Sequence, residues 1–345
     1  MNSPKVTIQI ITWNSLRYIS GCLNSIFQQT YRDFQILVID SGSQDGTLEF
    51  LRNNYPDVAV FQNHKNLGFA KSNNQGFKLL NSPFVLLCNA DIILESDWLE
   101  KAMNIADSPK YSDYGSFGGK LLKMKLKDND INEIDKLNLI DSCGLKILPQ
   151  RLIVEIGAGE DGSLYNNVCD VFGHSAALVL YRKEALINSA IKIDGSEELE
   201  FFDEDFFSYK EDVDLAWRMQ LFGWKSIYDP SLVAYHARST SGSEKTSLKD
   251  SIKNKKCQSP LAKFYSYRNH FLLLLKNEYK ANIRKDFWKI FWFELKKFIF
   301  YLLFDIKNIK ALFEAMSLRQ KMKKKSDFIQ ANDKSDSQMI YKWIQ

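Results

Sequence analysis

VTIQIITWNSLRYISGCLNSIFQQTYRDFQILVIDSGSQDGT, residues 6–47, decides the fold class. Val6 to Ile11 is a largely β-branched run of strand length, closed by the polar or amphipathic Thr12, Trp13 and Asn14. Leu16, Ile19, Leu23, Ile26 and Phe27 then recur at helical spacing, and Gln35 to Ile39 reads as a second strand. Strand, helix and strand in that order predict a βαβ unit, hence a parallel sheet that binds ligands beyond the C-terminal ends of its strands. Asp40 falls at such an end. In the SGSQDGT segment that follows it, Gly42 and Gly46 allow close backbone approach, and Ser, Asp and Thr can cap a helix over Leu48 to Asn53.

Further along, Val58 to Gln62 predicts a third strand and Phe69 opens another helix, bracketed by Asn66, Gly68, Asn73, Asn74 and Gly76. These glycines do not have GxGxxG spacing and no glycine-rich turn follows the first strand, which counts against a nicotinamide dinucleotide site. Pro83 to Cys88 is almost wholly apolar, as a central parallel strand buried on both faces should be. It ends in Asn89-Ala90-Asp91. A carboxylate at that strand end, opposite Asp40, can coordinate a hard cation bridging phosphates. Ser96 and Asp97 are better placed than Asp91 to cap the helix predicted over Trp98 to Ala106.

With 45% hydrophobic and 26% charged residues among 345, the composition is that of a folded globular chain and excludes wholesale disorder. A net charge of +4 does not argue for nucleic acid, and none is expected as a partner. Cys22, Cys88, Cys143, Cys169 and Cys257 are scattered without CxxC spacing, which predicts neither a disulfide framework nor a zinc site and fits a reducing cytoplasm. The first residues run into a strand pattern rather than a secretory signal.

Phe201 to Arg218, FFDEDFFSYKEDVDLAWR, sets six carboxylates among Phe201, Phe202, Phe206, Phe207 and Tyr209 and runs into a helical pattern. Dense aromatics favour burial and carboxylates resist it unless paired. Two readings stand at this point: a solvated acidic loop, or a charged site set in an apolar wall.

Several segments together carry a family likeness: TWN at 12–14, IDSGSQDGT at 39–47, NLGFAKSNNQG at 66–76, LLCNAD at 86–91, GHSAALVLYRKEAL at 173–186, FDEDFFSYKEDVDLAWRMQLFGW at 202–224 and YDPSLVAYHARSTSG at 228–242. The chain resembles the family 2 glycosyltransferases, GT-A fold enzymes that use nucleotide sugars, over about its first 245 residues. IDSCGLKI at 140–147 and YRNHFLLLLKN at 267–277 add a likeness to the rhamnosyltransferase-type enzymes of bacterial surface polysaccharide assembly. The resemblance implies an α/β fold: a Rossmann-like mixed, mainly parallel sheet flanked by helices, with a C-terminal helical extension. It divides the chain into a nucleotide-sugar half at 1–115, an acceptor-binding and catalytic half at 116–245, and the extension at 246–345.

By the same resemblance, Thr12 and Asp40 match positions that contact nucleobase and ribose, and Asn14, Ser41, Asn66, Gly68 and Asn89 are nucleotide-binding positions. Asp91 matches the last acid of the DXD metal motif, whose first acid is Asn89 here, and His236 the histidine that completes a Mg2+ or Mn2+ site. Asp212, the aspartate of the ED motif, is the expected catalytic base, with Glu211, His174 and Arg238 as acceptor or donor contacts and Lys210 as a candidate diphosphate contact. Leu215, Met219 and Phe222 predict one buried stripe, which would turn Asp212 away from the core, and Asp214 and Arg218 are spaced to pair along the helix.

After a Ser- and Lys-rich segment at 242–260, Leu261 to Tyr279 and Asp286 to Phe304 have helical character. The second is unusually aromatic, but Lys289, Glu294, Lys296 and Lys297 break it too often for a bilayer span. Flanked by Arg284, Lys285 and the basic run Arg319 to Lys325, it suits an interfacial helix on an anionic membrane; packing on protein, including a second subunit, is the other reading. The expected protein is an inverting glycosyltransferase at the cytoplasmic face of a membrane. It would move a sugar, with L-rhamnose from dTDP-rhamnose as a candidate, from a dTDP- or UDP-linked donor to a glycan or lipid-linked acceptor. A nucleotidyltransferase and an inactive sugar-nucleotide scaffold are the alternatives.

Overall fold

The computed structural model describes residues 3–127, 130–192, 198–237 and 259–344. Its first half follows the predicted alternation: β1 (Val6–Thr12), α1 (Leu16–Phe27), β2 (Phe34–Asp40), α2 (Thr47–Asn54), β3 (Ala59–Gln62), α3 (Phe69–Lys78), β4 (Phe84–Cys88), the short β5 (Ile92–Leu94) and α4 (Trp98–Ala106). A long antiparallel hairpin comes next, β6 (Tyr114–Lys127) with β7 (Asp130–Ser142), followed by a small ribbon of β8 (Leu145–Ile147) and β9 (Ile153–Glu155). The chain continues through β10 (Cys169–Val171), β11 (Leu178–Arg182), α5 (Lys183–Asn188), β12 (Ile191–Lys192), β13 (Leu199–Glu200), α6 (Glu211–Leu221) and β14 (Lys225–His236).

Ten strands form one sheet in the order β10-β14-β6-β11-β4-β1-β2-β3, with β5 and β7 attached to β14 and β6. Neighbours from β4 to β3 are parallel, and β11 enters antiparallel between β4 and β6, which makes the sheet mixed. Strand alternation sets its two faces: Ile8, Ile10, Phe84 and Leu86 pack with α1 and α4, while Val85, Leu87 and Val179 pack with α3, α5 and α6. Register places Thr12 directly beside Asp40, so both end at the same sheet edge.

The C-terminal extension is a third layer: α7 (Pro260–Asn277), α8 (Lys280–Lys285), α9 (Phe287–Phe304), α10 (Lys310–Ser317) and α11 (Arg319–Asn332). Leu272 and Leu273 of α7 join Met322 and Ile329 of α11 and Trp217 of α6 in one apolar cluster. This corrects the reading of α6 as a surface helix with a single buried stripe. Covered on its outer side by α7, it is buried all round, and Asp212 is its one partly exposed residue. The Asp214 and Arg218 pair forms as spaced, at 2.9 Å, but with both side chains fully buried. No helix among the described residues is long and apolar enough to cross a membrane. The Ser- and Lys-rich segment falls largely outside the described residues.

Candidate active site

At the ends of β1 and β2, Thr12 Oγ1 donates to Asp40 Oδ1 at 2.9 Å. The same carboxylate accepts from Ser43 Oγ (2.5 Å) and from the backbone N–H groups of Gly42 (3.1 Å) and Ser43 (3.0 Å). Asp40 is fully buried, so its oxygens are engaged by the loop they shape; the direct nucleobase contact expected of it would have to displace these bonds. The two loops interlock further, with Asn14 Oδ1 accepting from Gln44 N (2.8 Å) and Asp45 Oδ2 from Leu16 N (3.0 Å). Gly42 has φ +74°, and a Cβ there would lie 2.8 Å from the Lys65 Cα, so only glycine lets this loop meet the one after β3. Ser41 Oγ is 2.6 Å from Ser72 Oγ, and Asn66 Oδ1 accepts from Gly68 N at 2.8 Å to set the turn into α3.

Asn89, Ala90 and Asp91 link β4 to β5, and β14 lies antiparallel to β5, which brings His236 beside Asp91. His236 Nε2 is 3.3 Å from Asp91 Oδ1, and its Nδ1 is 2.8 Å from Asp141 Oδ2. Asp141, at the end of β7, is a site residue that sequence reasoning passed over; its only signal lay in the IDSCGLKI segment. It fixes the imidazole with Nε2 toward Asp91, as carboxylates behind metal-binding histidines do. Burial alone would lower the His236 pKa, but the Asp91 charge and the Asp141 hydrogen bond outweigh it and raise it to about 9. Two carboxylates around one imidazolium leave a locally anionic pocket, and with its Nε2 proton displaced the ring would set a nitrogen donor beside the Asp91 oxygen, a pair that fits a divalent cation also held by phosphate and water.

A second acidic group, Glu200, Asp203 and Asp205, has ligand oxygens within 4.8 Å of one another. Ammonium groups already fill it. Lys325 Nζ lies 2.8, 2.5 and 2.9 Å from Glu200, Asp203 and Asp205, and Lys276 Nζ lies 2.5 and 2.6 Å from Asp203 and Asp214. The negative charge of the acidic-aromatic stretch is thus largely balanced from α7 and α11, and two lysines drawn from the C-terminal third, one of them in the basic run, point inward.

Asp212 stands at the N-terminus of α6. Its Oδ2 accepts from Ala176 N (3.1 Å) and its Oδ1 from Val213 N (2.7 Å), while the adjacent Ala177 O accepts from Asn89 N at 2.8 Å. One dipeptide therefore ties the proposed base to the metal motif. Burial raises the Asp212 pKa above the ordinary aspartate value, against the pull of these N–H groups. Burial, and then the Asp212 charge, push Glu211 much higher, so of the two carboxyls Asp212 is the first to ionise. Lys210 is partly buried and its pKa is lowered by burial.

His174 is corrected. Its ring is buried over Gly118, where an added Cβ would lie 2.5 Å from Nδ1, and its Nε2 donates to Ile227 O at 3.0 Å. Packed inside the sheet, it holds strands together rather than touching substrate. Arg238 lies outside the described residues.

A cavity of ≈ 590 Å³ brings Asn14, Ser41, Asn66, Gly68, Asn89 and Asp91 together with an aromatic wall of Trp13, Phe207, Tyr209 and Tyr265. Tyr265, from α7, stacks on Phe207 with centroids 5.0 Å apart, a contribution of the C-terminal layer that the sequence reading did not foresee.

Residues 7–135 match the family model described as glycosyl transferase family 2. An uncharacterized glycosyltransferase of Haemophilus influenzae is 33% identical over 103 residues, 29% of this chain and 32% of that protein. The chain thus spans about a third of the length of that curated relative. The fold is similar to a mannosyltransferase from Pyrobaculum calidifontis in complex with GDP-Man and Mn2+, with TM-score 0.50, 16% identity, and 96% of this chain and 86% of that one covered. It is also similar to GalNAc-T7 with UDP, GalNAc and Mn2+, with TM-score 0.56, 12% identity, and 79% and 48% covered. The family match thus covers residues 7–135, and the likeness to the two solved structures is one of fold, the GT-A fold.

Proposed function

We propose that the chain transfers a sugar, with inversion, from a pyrimidine nucleotide-diphosphate donor to a glycan or lipid-linked acceptor in surface polysaccharide assembly. The observation that carries this reading is Asp212, the one partly exposed residue of α6, tied through Ala176 and Ala177 to the Asn89–Asp91 corner. Asp212 takes the proton of an acceptor hydroxyl as that oxygen bonds to the anomeric carbon; the bond to the diphosphate breaks on the opposite face and the nucleotide leaves with the electron pair. Glu211, pushed further up by burial, leaves Asp212 as the first of the pair to ionise.

Thr12, Asn14, Asp40, Ser41, Asn66, Gly68 and Asn89 form or shape the nucleotide end, Asp40 by ordering residues 41–43. Asp91 and His236 would hold Mg2+ or Mn2+, with Asp141 orienting the histidine. When bound, the ion neutralises charge on the departing diphosphate. Both similar structures hold Mn2+, which supports a divalent cation here.

L-Rhamnose from dTDP-rhamnose is the donor to test first. Membrane contact at the cytoplasmic face is supported by α9, which exposes Trp288, Trp292, Ile299, Leu302 and Leu303 while its Glu294 turns inward to His270. Incubation with a panel of nucleotide sugars, with and without Mg2+ or Mn2+, tests the whole reading: nucleoside diphosphate release is expected, and pyrophosphate release would mark a nucleotidyltransferase instead.

A further inference from the structure

Asn269 of α7 spends one side-chain amide on a single stretch of backbone. The two hydrogens of its Nδ2 are shared among the carbonyl oxygens of Phe206 (2.9 Å), Ser208 (2.9 Å) and Tyr209 (2.7 Å). The preceding Arg268 donates to Asp205 O (2.5 Å) and Phe206 O (3.1 Å). The stretch they hold is one that a free chain avoids. Phe207 has φ 62° and ψ −61°, and Tyr209 and Lys210 each have φ 71°, none of them glycine. Such conformations persist only where surrounding contacts over-determine them.

Much of the site hangs from this turn. Phe207, Ser208 and Tyr209 line the cavity; Phe207 O accepts from Ala70 N (3.1 Å) at the start of α3; and Lys210 is the residue from which α6 begins and presents Asp212. Asn269 is fully buried and its Nδ2 bonds all go to this turn, so it acts through the turn and not on substrate.

We infer that Asn269 is a positioning residue for transfer: it fixes the 206–210 turn so that the aromatic wall and Asp212 face the donor together. The claim rests on the glycosyl-transfer reading above, but one of its tests does not. Asn269→Ala is compared with Asn282→Ala, whose equally buried amide donates instead to Glu278 (2.9 Å) and Ser337 O (2.7 Å) within the C-terminal layer. Hydrogen exchange of the amides at 207–213 should accelerate at least about tenfold in Asn269→Ala and stay at the parent rate in Asn282→Ala. With the donor that the nucleotide-sugar panel identifies, kcat should fall at least about thirtyfold in Asn269→Ala, while UDP or dTDP affinity stays within about threefold.

Exchange at the parent rate, or losses of exchange protection and kcat matched by Asn282→Ala at equal loss of Tm, would overturn the proposal. Should Asn269→Ala not fold, Asn269→Gln keeps the amide but carries it one methylene outward, and the same exchange prediction applies. A parent protein that turns over no nucleotide sugar would defeat the proposed function, and the exchange result would still decide the role of Asn269.

Discussion

Single residues settle what each acid in the site does. Asp212 must be ionised to accept a proton, and its pKa lies above the ordinary 3.8, so the acid limb of kcat/KM should sit above that value and activity should fall as pH drops through it. Burial pushes Glu211 further up than Asp212, so Glu211→Gln should leave the limb in place; a downward move of a full pH unit would show that Glu211 carried charge. His174 gives the complementary result. Burial lowers its pKa to about 4 from 6.5, so the unfolded chain binds the proton first and stability is lost as pH falls from 6.5 toward 4. His174→Gln should reduce this acid sensitivity in a denaturation series and leave nucleotide affinity intact; a tenfold loss of affinity would return His174 to the site. Asp91 and His236 were legible in the sequence because their segments matched a family pattern in order. Asp141 was not, since it meets His236 across 95 residues and nothing in its neighbours announces the pairing.

Elements explain why the acidic stretch looked ambiguous. The alternation of β1 to β4 with α1 to α3 was readable because apolar spacing within each segment determines it. For α6 the same rule misleads: Leu215, Met219 and Phe222 imply a single buried face, yet Asp214 and Arg218 are buried as well, satisfied by Lys276, Asn277, Ser189 and Phe201 from elsewhere in the chain. Periodicity within a segment cannot show a lysine arriving from another helix. Lys276→Met would leave Asp203 and Asp214 short of a buried counter-charge, at a cost of about 3–5 kcal/mol, read as a lower urea midpoint. An unchanged midpoint would mean that the pairing contributes nothing. The pH window follows from the partners. Asp203 is held below its ordinary 3.8 by Lys276 and Lys325 despite burial, so its contribution is full above 3.8 and lost as pH falls through the depressed value. Lys325 is raised above 10.5 by the three carboxylates despite burial, so its contribution is full below 10.5 and lost only at higher pH.

Across the whole molecule, the C-terminal layer faces two ways. Its inner side supplies Lys276, Lys325, Asn269 and Tyr265 to the stretch 200–214, and its outer side carries the apolar stripe of α9. The proposed membrane contact rests on that exposed apolar surface and on the exposed Lys289 and Lys296 beside it. Trp288→Ser with Trp292→Ser should weaken co-sedimentation with vesicles containing anionic lipid by about tenfold or more, taking about 1.5–3 kcal/mol per buried large apolar side chain. Unchanged binding, with dimer detected by light scattering, would assign the stripe to a second copy. Sugar transfer with Asp212 as base is probed by Asp212→Asn, with nucleoside diphosphate release and UDP or dTDP affinity measured on the same preparation. Release should fall by about 10²-fold or more with affinity within about threefold of the parent; release near the parent rate would contradict the account.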